Sequence, residues 1–334
     1  MIEASHLYKT FRVRAPKQPN GGIRSFLRLD SIDKEAVRDV SFSINKGEFT
    51  GFIGPNGAGK STTIKMLSGI LHPTSGEVRL GGINPHRKRK EAARSLGVLF
   101  GQRSQLWWDL PLKDSFEVLG AMYRMEERQR HKRVAELNDL LHLGEFLDTP
   151  VRKLSLGQRM RGDLAAALLH EPSILILDEP TIGLDASAKR DIRSLLRSIN
   201  KELGTTIMLT THDMDDIEQL CSRVIVITEG SLHYDGPLEG LRSKIGMPAL
   251  IEVTYRTLEQ AEKAWTHVQS SSSADGKQLQ ERTITVECSL EQYRFMDILR
   301  ELEAFGELED ARMREADFDE AVHLLYPDLK QIKA

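Results

Sequence analysis

Cysteine is nearly absent from this chain of 334 residues: Cys221 and Cys288 stand far apart, with no metal-ligand spacing. A disulfide scaffold and a cysteine-held zinc are therefore excluded, and reduced thiols in the cytosol are expected. No apolar run reaches the roughly 18–20 residues of a membrane span. The opening MIEASHLYKT lacks the basic-then-apolar order of a secretory signal. An excess of either charge is missing too. The 46 Lys and Arg against 49 Asp and Glu leave −3, so no global positive field points to nucleic acid, and none is expected as a partner. Aromatics make up only 6% of the chain, yet two of its three tryptophans, Trp107 and Trp108, are adjacent, after a polar Gln-Arg-Ser-Gln turn.

What is present suits two domains, with 40% hydrophobic residues to build real cores. Short β-like runs lie at 1–11 and 39–53. The gap between them is unusual: from Phe11 to Leu29 it holds five basic residues, no acidic one and a PNGG turn. Ile23, Phe26 and Leu27 fall at helical spacing there, which predicts a short amphipathic turn. GEVRLGG (76–82) reads as strand and turn, LGVLFG (96–101) as a buried strand, and 112–170 as several helices. SILILD (173–178), TTIMLT (205–210) and RVIVIT (223–228) are β-branched runs separated by helical segments. This alternation predicts an α/β fold, a mostly parallel sheet with helices on both faces. HRKRK (86–90) reads as a solvated loop.

Near 240 the pattern changes. IEVTY (251–255) and RTITVEC (282–288) alternate as half-exposed strands do, with helical periodicity between and after them and a flexible SSSSADG loop. A small C-terminal α/β domain over 245–334, in strand–helix–strand–helix order, is expected. No chemical motif and no repeat of the first domain is visible in it.

Chemistry concentrates in three places. GPNGAGKST, Gly54-Pro55-Asn56-Gly57-Ala58-Gly59-Lys60-Ser61-Thr62, fits the phosphate-loop pattern between a strand and a helix. Its glycines let backbone N–H groups turn toward phosphate oxygens, and the helix N-terminus adds positive potential. Lys60 is expected to reach the β- and γ-phosphates and Ser61 to bind Mg²⁺. ILILDEP (174–180) ends a buried strand in two carboxylates: Asp178 to hold Mg²⁺ through water, Glu179 to polarise the attacking water.

LSLGQ (154–158) stands between these two motifs, and GLD (183–185) and TTHD (210–213) follow. In that order the motifs resemble the ATP-binding subunit of an ABC transporter, over roughly residues 1–240. The resemblance implies a P-loop NTPase core with an antiparallel β subdomain and a helical subdomain at about 103–170. It makes Ser155, Gly157 and Gln158 the signature motif, with Leu156 where the family has glycine. Asp185 becomes the D-loop acid, His212 the switch histidine, Gln102 the Q-loop glutamine that also faces Mg²⁺, and Phe11 the ring on adenine. It further implies ATP and Mg²⁺ as ligands and two subunits head to tail, each signature capping the partner's ATP. A homodimer is expected, bound peripherally at the inner face of the cell membrane to an integral permease. The basic insertion and the tail look more like export systems for drugs, lipids or polysaccharides. A soluble ABC ATPase acting on ribosomes or DNA, and an importer ATPase with a regulatory tail, are the alternatives.

The same resemblance gives the tryptophans a setting. The groove beside the Q-loop receives a helix of the membrane partner, and a rigid aromatic pair at its rim would anchor that helix. Packing inside the helical subdomain competes on even terms, with at least one ring expected to face the groove. The basic 12–29 segment is either a solvated hairpin or a contact to lipid headgroups or the membrane subunit.

Overall fold

The β-branched and leucine-rich runs all enter one sheet of the first unit, Met1–Leu238, of a computed structural model that describes residues 1–14, 31–101, 104–245, 249–270, 275–288 and 295–315. Its strands are β3 (Phe49–Ile53), β5 (Leu96–Phe100), β6 (Ile174–Asp178), β7 (Thr206–Thr210), β8 (Arg223–Thr228) and β9 (Ser231–Pro237). They lie in the order β5-β6-β7-β3-β8-β9, parallel except for the β8–β9 hairpin. β3 and β7 are buried at every residue, as strands covered on both faces are, which explains why TTIMLT shows no alternation. Between the strands run α1 (Lys60–Leu67), α2 (Arg89–Ser95), α6 (Ala186–Leu203) and α7 (Met214–Leu220).

A second, antiparallel sheet in the order β2-β1-β4 joins β1 (Ile2–Arg14), β2 (Ser31–Ile44) and β4 (Ser75–Leu80). Leu7, Phe42, Phe52, Ile64 and Met66 form one core between this sheet, α1 and the parallel sheet. β2 begins at Ser31, eight residues before the run read from the sequence at 39. Residues 31–38 alternate weakly, and their strand is fixed by a partner distant in sequence. Asp33 sits opposite Arg12 in the ladder, 3.6 Å from its guanidinium. The amphipathic turn predicted at 23–28 lies outside the described residues, as does most of the basic insertion. HRKRK is not wholly loop: α2 starts at Arg89.

The stretch read as helices contains α3 (Leu112–Met122), α4 (Glu127–Leu141) and α5 (Leu156–Leu168), with a 3₁₀ turn at Val151–Lys153. α5 is buried from Gly162 to Leu168.

After α8 (Leu238–Ile245), the second unit, Glu239–Ala334, contains β10 (Ala249–Tyr255), α9 (Leu258–Ser270), β11 (Asp275–Gln280), β12 (Thr283–Cys288), α10 (Phe295–Glu303) and β13 (Leu308–Glu315). Its antiparallel sheet has the order β11-β12-β10-β13, the ferredoxin-like β-α-β-β-α-β arrangement. Two strands here correct the expected order, and both are edges. An edge strand buries little, so β11 (DGKQLQ) and β13 (LEDARMRE) carry almost no apolar pattern to read. Tyr255, fully buried, donates its hydroxyl to the Leu302 carbonyl at 2.8 Å and ties β10 to α10.

Candidate nucleotide site

Parallel strands β6, β7 and β3 are neighbours, so their carboxyl ends bring three loops to one edge of the sheet. The loop after β3 is 54–59. Gly54 lies so close to β8 that a Cβ on it would stand 2.0 Å from the Ile227 carbonyl oxygen. Gly59 has φ +104°, and a Cβ there would meet the Ala36 oxygen at 2.6 Å, so neither position admits a side chain. No side chain caps α1, which leaves its first-turn N–H groups for an anion. Lys60, 7% exposed, curls back to donate to the carbonyls of Gly54 at 2.5 Å and Pro55 at 3.1 Å. Burial lowers the Lys60 pKa from its ordinary value, and the charges of Glu179 and Asp178 oppose that, which places both carboxylates in its field. Asn56, Gly57 and Ser61 are exposed along the rim, Pro55 and Thr62 are half-buried, and Ala58 is buried.

The loops after β6 and β7 supply the acids and the histidine. Asp178 accepts from the Thr210 hydroxyl at 2.6 Å. Glu179 has φ +56°, an uncommon backbone conformation for a residue with a side chain, and its amide donates to the Thr210 carbonyl at 2.9 Å. Its Oε1 lies 3.0 Å from Nε2 of His212. Lys60, Asp178, Glu179 and His212 thus gather at one edge.

A buried network under this edge was not read from the sequence. Asp216 of α7, with 0% exposure, accepts from Thr181 at 2.5 Å, from Thr211 at 2.8 Å and from Arg193 of α6 at 2.5 Å. Lys189 pairs with Asp213 at 2.6 Å. The network ties the loop after Glu179 to the loop carrying His212. The acidic run DMDD read only as a helix start; Lys189 and Arg193, four apart on α6, were the complementary signal.

Other predicted residues have different partners. Ser155 caps α5: its hydroxyl accepts from the Gln158 amide at 3.2 Å, while the Gln158 side chain accepts from the Ser155 amide at 2.9 Å. A Cβ on Gly157 would touch Ala188 at 3.4 Å, and Leu156 reaches to 3.3 Å from the same point on Gly183, so the start of α5 packs on the turn before α6. Asp185 caps α6 by accepting from the Ala188 amide at 2.8 Å. Phe11 and Tyr8 are both exposed on β1, with the Lys9 ammonium 5.3 Å from the Phe11 ring centre. Gln102 lies outside the described residues. Trp107 and Trp108 are 38% and 53% exposed, and the segment sends Leu106 inward instead. Among the described residues, no three His, Cys, Asp or Glu come together as a metal cage. No helix of those residues is long and apolar enough to cross a membrane.

A glycine loop between strand and helix, facing an acid–histidine pair across neighbouring parallel strands, defines a P-loop nucleotide-binding fold. The ABC transporter family profile matches residues 37–182. The chain is 34% identical over 228 residues to the linearmycin resistance ATP-binding protein LnrL of Bacillus subtilis, covering 68% of this chain and 73% of that one. To the Nod factor export ATP-binding protein I of Burkholderia lata it is 39% identical over 215 residues, 64% of this chain and 70% of the relative. It also matches a far longer protein, the ABC-type organic anion transporter ABCA8B of Mus musculus, 37% identical over 235 residues, which are 70% of this chain but only 14% of that relative. A solved structure of a dimeric post-hydrolysis ATP-binding cassette with ADP and Pi aligns at TM-score 0.58 and 28% identity, over 71% of this chain and 99% of that one. The chain belongs to the ABC transporter family as an ATP-binding protein.

Proposed function

We propose that the chain binds and hydrolyses ATP at the edge formed by β3, β6 and β7, and that it works as a head-to-tail pair driving export through a membrane permease. The observation that carries this reading is the placing of Glu179 3.0 Å from His212 with both acids acting on Lys60. Lys60 and the first-turn amides of α1 hold the β- and γ-phosphates. Glu179 takes the proton of the attacking water, and His212 holds Glu179 and senses the γ-phosphate. Ser61 and Asp178 would hold Mg²⁺, which would neutralise phosphate charge when bound. Phe11 offers an exposed ring for adenine.

Ser155, Gly157 and Asp185 stand at helix N-termini and turn toward a partner's ATP, and the exposed Trp107–Trp108 pair anchors the permease. The relatives named for Nod factor export and linearmycin resistance support the export reading, with a drug, lipid or polysaccharide as cargo. Two measurements test this: ATP turnover by the purified chain, and what co-purifies with a tagged chain from detergent-solubilised membranes. Turnover without a permease in the eluate would sink the transport half alone.

A further inference from the structure

The loop that leaves β5 lies along one face of α5. Arg159, Gly162 and Asp163 stand at i, i+3 and i+4 and share that face. Asp163, 6% exposed, accepts on a single oxygen from the Ser104 hydroxyl at 2.8 Å and the Gln105 amide at 3.0 Å. The Ser104 oxygen in turn accepts from the Leu106 amide at 3.1 Å, so one carboxylate holds three successive loop residues. Leu106 packs at Gly162, where a Cβ would come within 3.1 Å of its Cδ1. One turn nearer the N-terminus, the Arg159 guanidinium lies 5.7 Å from the centre of the Trp108 ring. A further turn along the same face is Ser155, the cap of α5.

We propose that Asp163 is a positioning residue that locks the Ser104–Trp108 loop to α5, so that a load on the tryptophans reaches Ser155 as movement of one rigid body. The consequence for turnover rests on the ATPase reading above; the lock rests on these contacts alone. A buried carboxylate on the stretch of α5 that also buries Met160, Leu164 and Ala167 has no packing reason to be there. Its oxygen meets a hydroxyl and a backbone amide that an apolar side chain would leave without an acceptor. Among the described residues no other side chain holds Ser104 and Gln105 to the helix.

The test uses the full chain carrying Trp265→Phe, in which Trp107 and Trp108 are the remaining indoles. Asp163→Ala should raise acrylamide quenching of that pair toward the value for free tryptophan. It should lower kcat for ATP by about 2- to 30-fold, the range of residues that carry coupling. KM for ATP should stay within about twofold, since no phosphate-loop group is touched. Asp163→Asn keeps the accepting oxygen and should restore wild-type quenching. Ser104→Ala should move both readouts the same way by less, and serves if Asp163→Ala does not fold. Wild-type quenching in Ser104→Ala and in any folded Asp163→Ala overturns the lock, whatever the ATPase does. Raised quenching with unchanged kcat overturns the link to turnover. Raised quenching in a chain whose parent hydrolyses no ATP supports the lock and instead fails the ATPase reading.

Discussion

Glu179 combines a left-handed backbone, an amide bond to the Thr210 carbonyl and a histidine 3.0 Å from its carboxylate, so its side chain is aimed rather than free. Glutamine has the same shape and keeps those restraints but does not accept the proton of an attacking water. Glu179→Gln should therefore lower ATP turnover by about 10²- to 10⁴-fold while ATP binding persists. Lys60→Ala, which removes the cation of the phosphate cradle, should lose binding itself. A turnover assay beside equilibrium ATP binding separates the two, and a Glu179→Gln chain turning over normally would remove the assignment. Asp163 makes a different kind of prediction. Burial lifts its pKa from 3.8 to about 6, against its bonds to Ser104 and Gln105 and the charge of Arg159. Between those two values the folded chain holds a proton that the unfolded chain has released, so this group's contribution to stability falls as pH rises through that window. Asparagine has no such proton. Unfolding free energy of the wild type minus that of Asp163→Asn should fall by on the order of 3 kcal/mol from pH 4 to pH 7. A difference that stays flat in urea titrations across that range would mean the carboxyl is not desolvated.

Legibility from the sequence followed burial and the local completeness of each element. β6, β7 and β8 announced themselves because a strand covered on both faces is a near-continuous apolar run, whereas β3 was merged with β2 in the run at 39–53. The phosphate loop was legible because its chemistry lies in nine consecutive residues. Residues 31–38 and β13 were not, since ladders to partners far along the chain hold them, and β11, though paired with the next strand β12, is an edge strand with little apolar pattern. The Asp216 hub joins side chains from three separate elements, and no local pattern encodes such a meeting. The tryptophans sat between two readings that only exposure separates. At 38% and 53% exposed they do not form the core of the helical subdomain, a part that Leu106 takes at 8%. Replacing both by alanine should therefore leave the melting of the free subunit nearly unchanged, since an exposed stack such as Trp108 on Arg159 is worth about 0.5–1 kcal/mol. Binding to a permease should weaken by roughly thirtyfold, as when an interface tryptophan worth ~2 kcal/mol is lost. Calorimetry of the free chain and pull-down of the complex measure the two effects, and intact binding would sink the anchor.

For the whole molecule, the question is whether one chain contains a complete site. Lys60, Asp178, Glu179 and His212 gather at one edge, but Ser155 is spent on its own helix and the start of α5 packs on Gly183 and Ala188 rather than on the phosphate loop. Within a chain Ser155 is thus a helix cap, set apart from the phosphate loop. If two chains pair head to tail, each composite site takes its phosphate loop from one and its signature from the other. Ser155→Arg damages the signature half alone, and Lys60→Ala the phosphate half alone. Each variant by itself should be inactive. Mixed in equal amounts and allowed to exchange, half the dimers combine both variants, and in each of those one site has two intact halves. About a quarter of the wild-type rate per subunit should return if sites work independently. Proximity crosslinking of the same mixture shows the arrangement directly: Ser155 of one variant should join the phosphate loop of the other. A crosslink confined within single chains, with no activity recovered, would mean that the site is not shared.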